Sequence, residues 1–171
     1  EAPPSAVATP VRIREISELP YTDAVAARFP DPGTRYATPG LAADRRAFTT
    51  NAELSQWLRN LTQAPSAHGT RATLLNLGNS QSGTPIEALV ITRAQGITPD
   101  ILEATHRPTM VLIGQQHGDE PASSEALLIV AKELTQGLLE PLTDRLNVIV
   151  VPRANPDGAE AGTRATANGS D

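Results

Sequence analysis

Met110-Val111-Leu112-Ile113 is a short apolar run that breaks into Gly114-Gln115-Gln116-His117-Gly118-Asp119-Glu120. A second, largely apolar run, Leu146-Asn147-Val148-Ile149-Val150-Val151, breaks into Pro152-Arg153-Ala154-Asn155-Pro156-Asp157-Gly158. Short apolar runs of this kind are what strands buried on both faces show. Between them Leu127, Val130, Ala131, Leu134 and Leu138 repeat at helical spacing, which predicts a helix over 121–139 opened by Pro121. Strand, helix and strand with a crossover of this length read as a parallel pair, so both strands end on one sheet edge. Open α/β sheets bind ligands along that edge. The two polar loops are therefore expected side by side, where chemistry takes place.

Working towards the amino terminus, Thr50-Asn51-Ala52-Glu53 fits a capping box, and Leu54, Trp57, Leu58 and Leu61 continue it as one helical stripe. Two short strands follow, over 73–77 and 86–91. The intervening Gly78-Asn79-Ser80-Gln81-Ser82-Gly83 is turn chemistry, which predicts an antiparallel pair. That turn lacks the Lys-Ser/Thr ending of a phosphate loop. Residues 100–105 read as a helical turn. Residues 1–48 differ in texture: seven of the 15 prolines fall before residue 41. Proline removes backbone donors and blocks helix interiors, so an irregular leader over 1–48 is expected, an arm over a neighbouring domain, ahead of a folded unit over 49–171. Within the leader, Val11-Arg12-Ile13-Arg14-Glu15-Ile16 alternates as an edge strand does.

Composition narrows the function. The 171 residues carry 19 acidic and 14 basic side chains, a net charge of −5, which argues against nucleic acid or an anionic membrane surface as partner. No stretch approaches the 18 or so apolar residues of a membrane span. With no cysteine, disulfides, zinc–thiolate sites and cysteine nucleophiles are excluded. Any metal must use His, Asp or Glu. The opening Glu1-Ala2-Pro3-Pro4 reads like a mature end left by signal-peptide removal, which predicts an exported, periplasmic or secreted protein.

His117 and Glu120 are three residues apart at the expected strand end, and imidazole and carboxylate are both zinc donors. Spacing alone favours an ordinary surface pair, and the position at a strand's carboxyl end leaves the metal and surface readings equally open. Gly118 between them permits a tight turn, and Asn155, Asp157 and Gly158 read as loop-shaping, because Asn-Pro and Asp-Gly are strong turn pairs. His68, in a Gly/Ser/Pro-rich loop, and His106, beside Arg107-Pro108, read as surface residues. Arg153 reads as a salt-bridge or rim residue.

Taken in order, Gln116-His117-Gly118-Asp119-Glu120, Asn155-Pro156-Asp157-Gly158, Arg164 and Asn168-Gly169-Ser170-Asp171 resemble the zinc metallocarboxypeptidases of the carboxypeptidase A type over roughly residues 50 to 171. The turn Leu77-Gly78-Asn79-Ser80-Gln81-Ser82-Gly83-Thr84-Pro85-Ile86 is also similar to that family's. The resemblance implies an α/β fold with a mixed, largely parallel sheet flanked by helices, present in its amino-terminal portion. It implies one zinc ion with His117 and Glu120 as two ligands, and Arg164 as the catalytic and substrate-binding cation that polarises the scissile carbonyl. The family's third ligand, a histidine, its general base, a glutamate, and the residues gripping the substrate carboxylate lie downstream of Asp171.

The expectation is therefore a zinc carboxypeptidase acting at or near the carboxyl end of peptides, incomplete within these 171 residues and inactive without the remainder of its catalytic domain, in the same or a separate chain. The alternatives are an N-acyl-amino-acid deacylase of the same fold and a non-catalytic truncated module.

Overall fold

The computed structural model of the protein describes residues 22–29, 33, 35–63 and 65–171. The strand expected over 11–16 lies outside them. The elements in chain order are α1 (Asp23–Ala26), α2 (Asn51–Gln63), β1 (Arg71–Asn79), β2 (Pro85–Thr92), α3 (Pro99–Glu103), β3 (Thr109–Ile113), α4 (Pro121–Gln136), β4 (Asn147–Val151) and α5 (Pro156–Ala161), with 3-10 turns at Pro39–Leu41 and Glu140–Asp144. The architecture is α/β. None of these helices is long and apolar enough to cross a membrane.

The four strands form one mixed sheet in the order β1-β2-β4-β3. β1 and β2 are antiparallel, as their turn requires, and β2 also runs antiparallel to β4. The parallel pairing is β3 with β4, in the register Val111 with Ile149 and Ile113 with Val151. Leu89, Ile91, Val148 and Val150 point to one face, where Leu54, Leu58 and Leu61 of α2 and Leu128, Ala131 and Leu134 of α4 close over them. Each such leucine contributes roughly 1.5–3 kcal/mol by leaving water. On the other face Val90 and Ile149 pack with Ala94, Ile97 and Leu102 around α3.

The capping box at α2 forms in both directions: the Glu53 N–H donates to Thr50 Oγ1 at 3.3 Å, and Glu53 Oε2 accepts from the Thr50 N–H at 2.8 Å. Helix α4 ends sooner than its apolar periodicity suggests. Its last residue is Gln136, Gly137 follows, and Leu138 is 91% exposed rather than part of the buried stripe.

Residues 38–49 are irregular apart from one 3-10 turn, yet they are tied into this same unit. Glu125 of α4 is buried and accepts from Thr38 Oγ1, from the Thr49 N–H at 2.7 Å and from Thr49 Oγ1 at 2.9 Å. Three donors on one carboxylate offset the cost of its burial. The chain passes so close that a Cβ on Gly40 would lie 2.2 Å from Glu125 Oε1.

Candidate active site

The parallel ladder continues past the strands into the two loops. The Gly114 N–H donates to Val151 O at 2.9 Å, Ala154 N–H to Gly114 O at 3.0 Å, and Asn155 N–H to Gln115 O at 3.0 Å. This brings residues 114–120 and 152–158 side by side, as the topology predicts. His117 and Glu120 then face each other: His117 Nδ1 lies 3.0 Å from Glu120 Oε1. His117 is partly covered and Glu120 is exposed at the helix start.

Gly118 is needed for close approach rather than for an unusual dihedral. A Cβ there would stand 2.0 Å from the carbonyl carbon of Gly158 and 2.4 Å from Ala159 N. Asn155 caps α5, its Oδ1 accepting from the Gly158 N–H at 2.9 Å. The Arg164 carbonyl accepts from the Gly118 N–H at 3.2 Å and from Asn155 Nδ2 at 3.3 Å. Those bonds deliver the Arg164 side chain to the turn over 117–120, with Nη1 3.6 Å from Glu120 Oε1. Asp157 works on the other side of the loop: Oδ1 accepts from Ser80 Oγ at 2.6 Å and Oδ2 from the Ser82 N–H at 3.1 Å, pinning the β1–β2 turn to α5.

Asp171 completes the cluster, and its role was not apparent from sequence. Its Oδ1 lies 3.3 Å from His117 Nε2 and 2.9 Å from Arg164 Nε. The hydrogen bond to Asp171, followed by the field of that carboxylate, raises the Arg164 pKa above its ordinary value. The guanidinium is therefore a permanent cation beside Glu120.

Two metal donors fit here. The imidazole is flanked by a carboxylate oxygen at each nitrogen, Glu120 Oε1 at Nδ1 and Asp171 Oδ1 at Nε2. A cation between Nδ1 and Oε1 would meet an imidazole nitrogen and a carboxylate oxygen, both of them zinc donors. Donors bound at about 2.0–2.2 Å on one tetrahedral zinc ion stand roughly 3.4 Å apart, within a few tenths of an ångström of the separation observed. Asp171 sits on the opposite side of the ring, against Nε2 rather than Nδ1. Among the described residues no group of three or more His, Cys, Asp or Glu side chains is arranged to hold a metal. His68 and His106 are exposed and remote in role: the His68 backbone N–H donates to buried Glu140 at 3.1 Å, and His106 takes a left-handed φ of 54° just after α3.

Arg153 departs from its reading as a rim residue. It is buried, with its bonds going to neutral partners: Nε donates to Gln115 Oε1 at 2.6 Å, Nη1 to Asn51 Oδ1 at 2.8 Å and Nη2 to Thr49 O at 2.7 Å. Burial lowers its pKa to about 10.

The zinc carboxypeptidase family matches residues 54–170, and the chain belongs to that family. Carboxypeptidase D of Rattus norvegicus is 35% identical over 104 residues, covering 52% of this chain and 8% of that protein. Carboxypeptidase SOL1 of Arabidopsis thaliana is 28% identical over 139 residues, covering 78% of this chain and 26% of that protein. The chain thus spans about a quarter or less of these two relatives. The crystal structure of carboxypeptidase A from Helicoverpa armigera superposes with a TM-score of 0.60 at 20% identity, over 84% of this chain and 33% of that one, a likeness of fold.

Proposed function

We propose that this chain carries part of the active site of a zinc-dependent metallocarboxypeptidase that hydrolyses peptide bonds at or near the carboxyl end of peptides. The observation that carries the reading is the convergence of His117 Nδ1 and Glu120 Oε1 to 3.0 Å, with Arg164 Nη1 3.6 Å from the same oxygen, at the ends of parallel strands. His117 and Glu120 would hold one zinc ion. When bound, zinc supplies Lewis-acid polarisation of the scissile carbonyl and a water acidic enough to attack near neutral pH.

The remaining work belongs to the chain's own groups. Asp171, 3.3 Å from Nε2 of His117, would accept a hydrogen bond from it, orienting the ring so that Nδ1 is the metal donor. Arg164, tethered through its Nε by Asp171, presents a fixed positive charge where negative charge develops on the carbonyl oxygen. Asn155, Gly158 and Asp157 shape the loop that delivers it. In this reading the third metal ligand and the general base come from the remainder of the catalytic domain, outside these 171 residues.

The test is zinc analysis of the full-length protein together with assays on peptides with free or amidated carboxyl ends and on N-acyl amino acids. Stoichiometric zinc and cleavage confined to free carboxyl ends are expected. Cleavage of N-acyl amino acids alone would replace the peptidase reading with the deacylase one, and absence of turnover on all of them would favour a binding module.

A further inference from the structure

Gln115 occupies an expensive position. It is 3% exposed and holds a left-handed φ of 44°, which non-glycine residues seldom adopt and which persists only where surroundings over-determine it. All its polar groups are engaged. The N–H donates to Ser123 Oγ at 2.9 Å, the carbonyl accepts from the Asn155 N–H at 3.0 Å, and Oε1 accepts from Arg153 Nε at 2.6 Å. Nε2 donates to Gly118 O at 2.8 Å. The amide has one satisfactory orientation, because arginine can only donate and a carbonyl can only accept. Arg153 is oriented in turn by Asn51 and the Thr49 carbonyl, which anchor the segment that also binds Glu125. The Glu125 and Glu53 carboxylates offset part of the cost of burying this charge, while hydrogen bonds to three neutral groups fix the direction of the guanidinium.

We infer that Arg153 and Gln115 form a buried positioning pair that sets the conformation of the turn carrying His117 and Glu120. Arg153 touches neither ligand; it acts through the Gln115 amide on Gly118, which lies between them. This inference rests on the reading of His117 and Glu120 as metal ligands. The pair is assigned to neither the metal nor the substrate.

The decisive variant is Gln115→Glu in the full-length protein. It keeps the shape and gives Arg153 a carboxylate, but turns an oxygen instead of an N–H towards Gly118 O. Zinc affinity, read by chelator competition, should fall roughly 10- to 100-fold, the range seen when groups supporting metal ligands are lost. The melting temperature of the metal-free protein should stay within a few degrees of wild type, and excess zinc should restore activity. Arg153→Met should weaken zinc similarly, and combining it with Gln115→Met should cost little more than either alone, because both cut one path. Zinc affinity within about twofold of wild type in Gln115→Glu, or losses that multiply in the double variant, would overturn the inference. If Gln115→Glu does not fold, the Arg153→Met and Gln115→Met pair decides the matter by the same criterion. Wild-type protein that binds no zinc, or binds it equally well with His117→Ala, would instead remove the site reading and the inference with it.

Discussion

Asp171 Oδ1 stands 3.3 Å from His117 Nε2, across the imidazole ring from Glu120. One carboxylate thus stands against each nitrogen of the ring. Since Asp171 also holds Arg164 Nε at 2.9 Å, it couples the proposed ligand to the proposed electrophilic cation. Asp171→Asn is expected to weaken zinc binding about 10- to 100-fold and to lower turnover even at saturating zinc. Zinc titration and kinetics at high zinc separate the two effects; unchanged values in both would remove Asp171 from the site.

Arg164 is expected to act on the reaction rather than on the metal. Its side chain is half exposed, and its backbone carbonyl, not its guanidinium, ties it to Gly118. Arg164→Ala should therefore leave zinc stoichiometry intact while reducing kcat by about 10² to 10³, the scale of a lost oxyanion donor. A fall in metal content equal to the fall in rate would mean that the guanidinium serves the ligand turn instead.

Gly118→Ala tests the packing of the two loops. The added methyl would meet the Gly158 carbonyl carbon at 2.0 Å, a backbone atom that cannot swing away. We expect a loss of about 1–3 kcal/mol in chemical denaturation, as for other overpacked sites. Little change would show that residues 156–161 shift easily.

These sites differ in how far sequence exposes them. The parallel pair β3–β4 was legible because apolar runs and a helical stripe are local patterns, and the loops then follow from topology. His117, Glu120 and Arg164 stood out because their spacing resembles a known arrangement. Arg153 and Glu125 did not, because their partners are distant: Arg153 reaches Thr49 and Asn51, over a hundred positions away, and Glu125 meets Thr38 and Thr49. A charged residue next to a turn or within a helix reads as solvated by default, and nothing local signals that a leader segment will bury it. Leu138 failed for the opposite reason, since periodicity continues in the sequence after Gly137 has ended the helix.

Acid should weaken the junction between this leader segment and α2. Glu53 is held down to about 2 chiefly by its hydrogen bond with Arg45, whose Nη1 lies 2.7 Å from Oε1, and then by Thr50. A carboxylate depressed from its ordinary 4.5 adds stability that is complete above about pH 4.5 and drains away as pH falls towards 2. Both side chains are partly solvated, so the contribution is about 1 kcal/mol rather than the full linkage value. Glu53→Gln should flatten the melting temperature against pH across that window. An identical slope in the variant would assign the acid sensitivity elsewhere.

Strand β3 ends the described sheet, and its side chains show what an open edge costs. Met110, Val111 and Ile113 are 47%, 54% and 51% exposed, with β4 as the strand's partner on one side. An apolar edge with unpaired N–H and C=O groups is a template for another strand. Solvent does not satisfy the adjoining apolar surface. Expressed as these 171 residues alone, the chain is expected to self-associate and bind a hydrophobic dye. Val111→Lys should shift it towards monomer in size-exclusion chromatography, because a charge on the edge blocks strand addition while the face covered by α2 and α4 is untouched. A monomeric wild-type species with a sharp thermal transition would show that this edge tolerates water, and would make the 171 residues a self-sufficient unit.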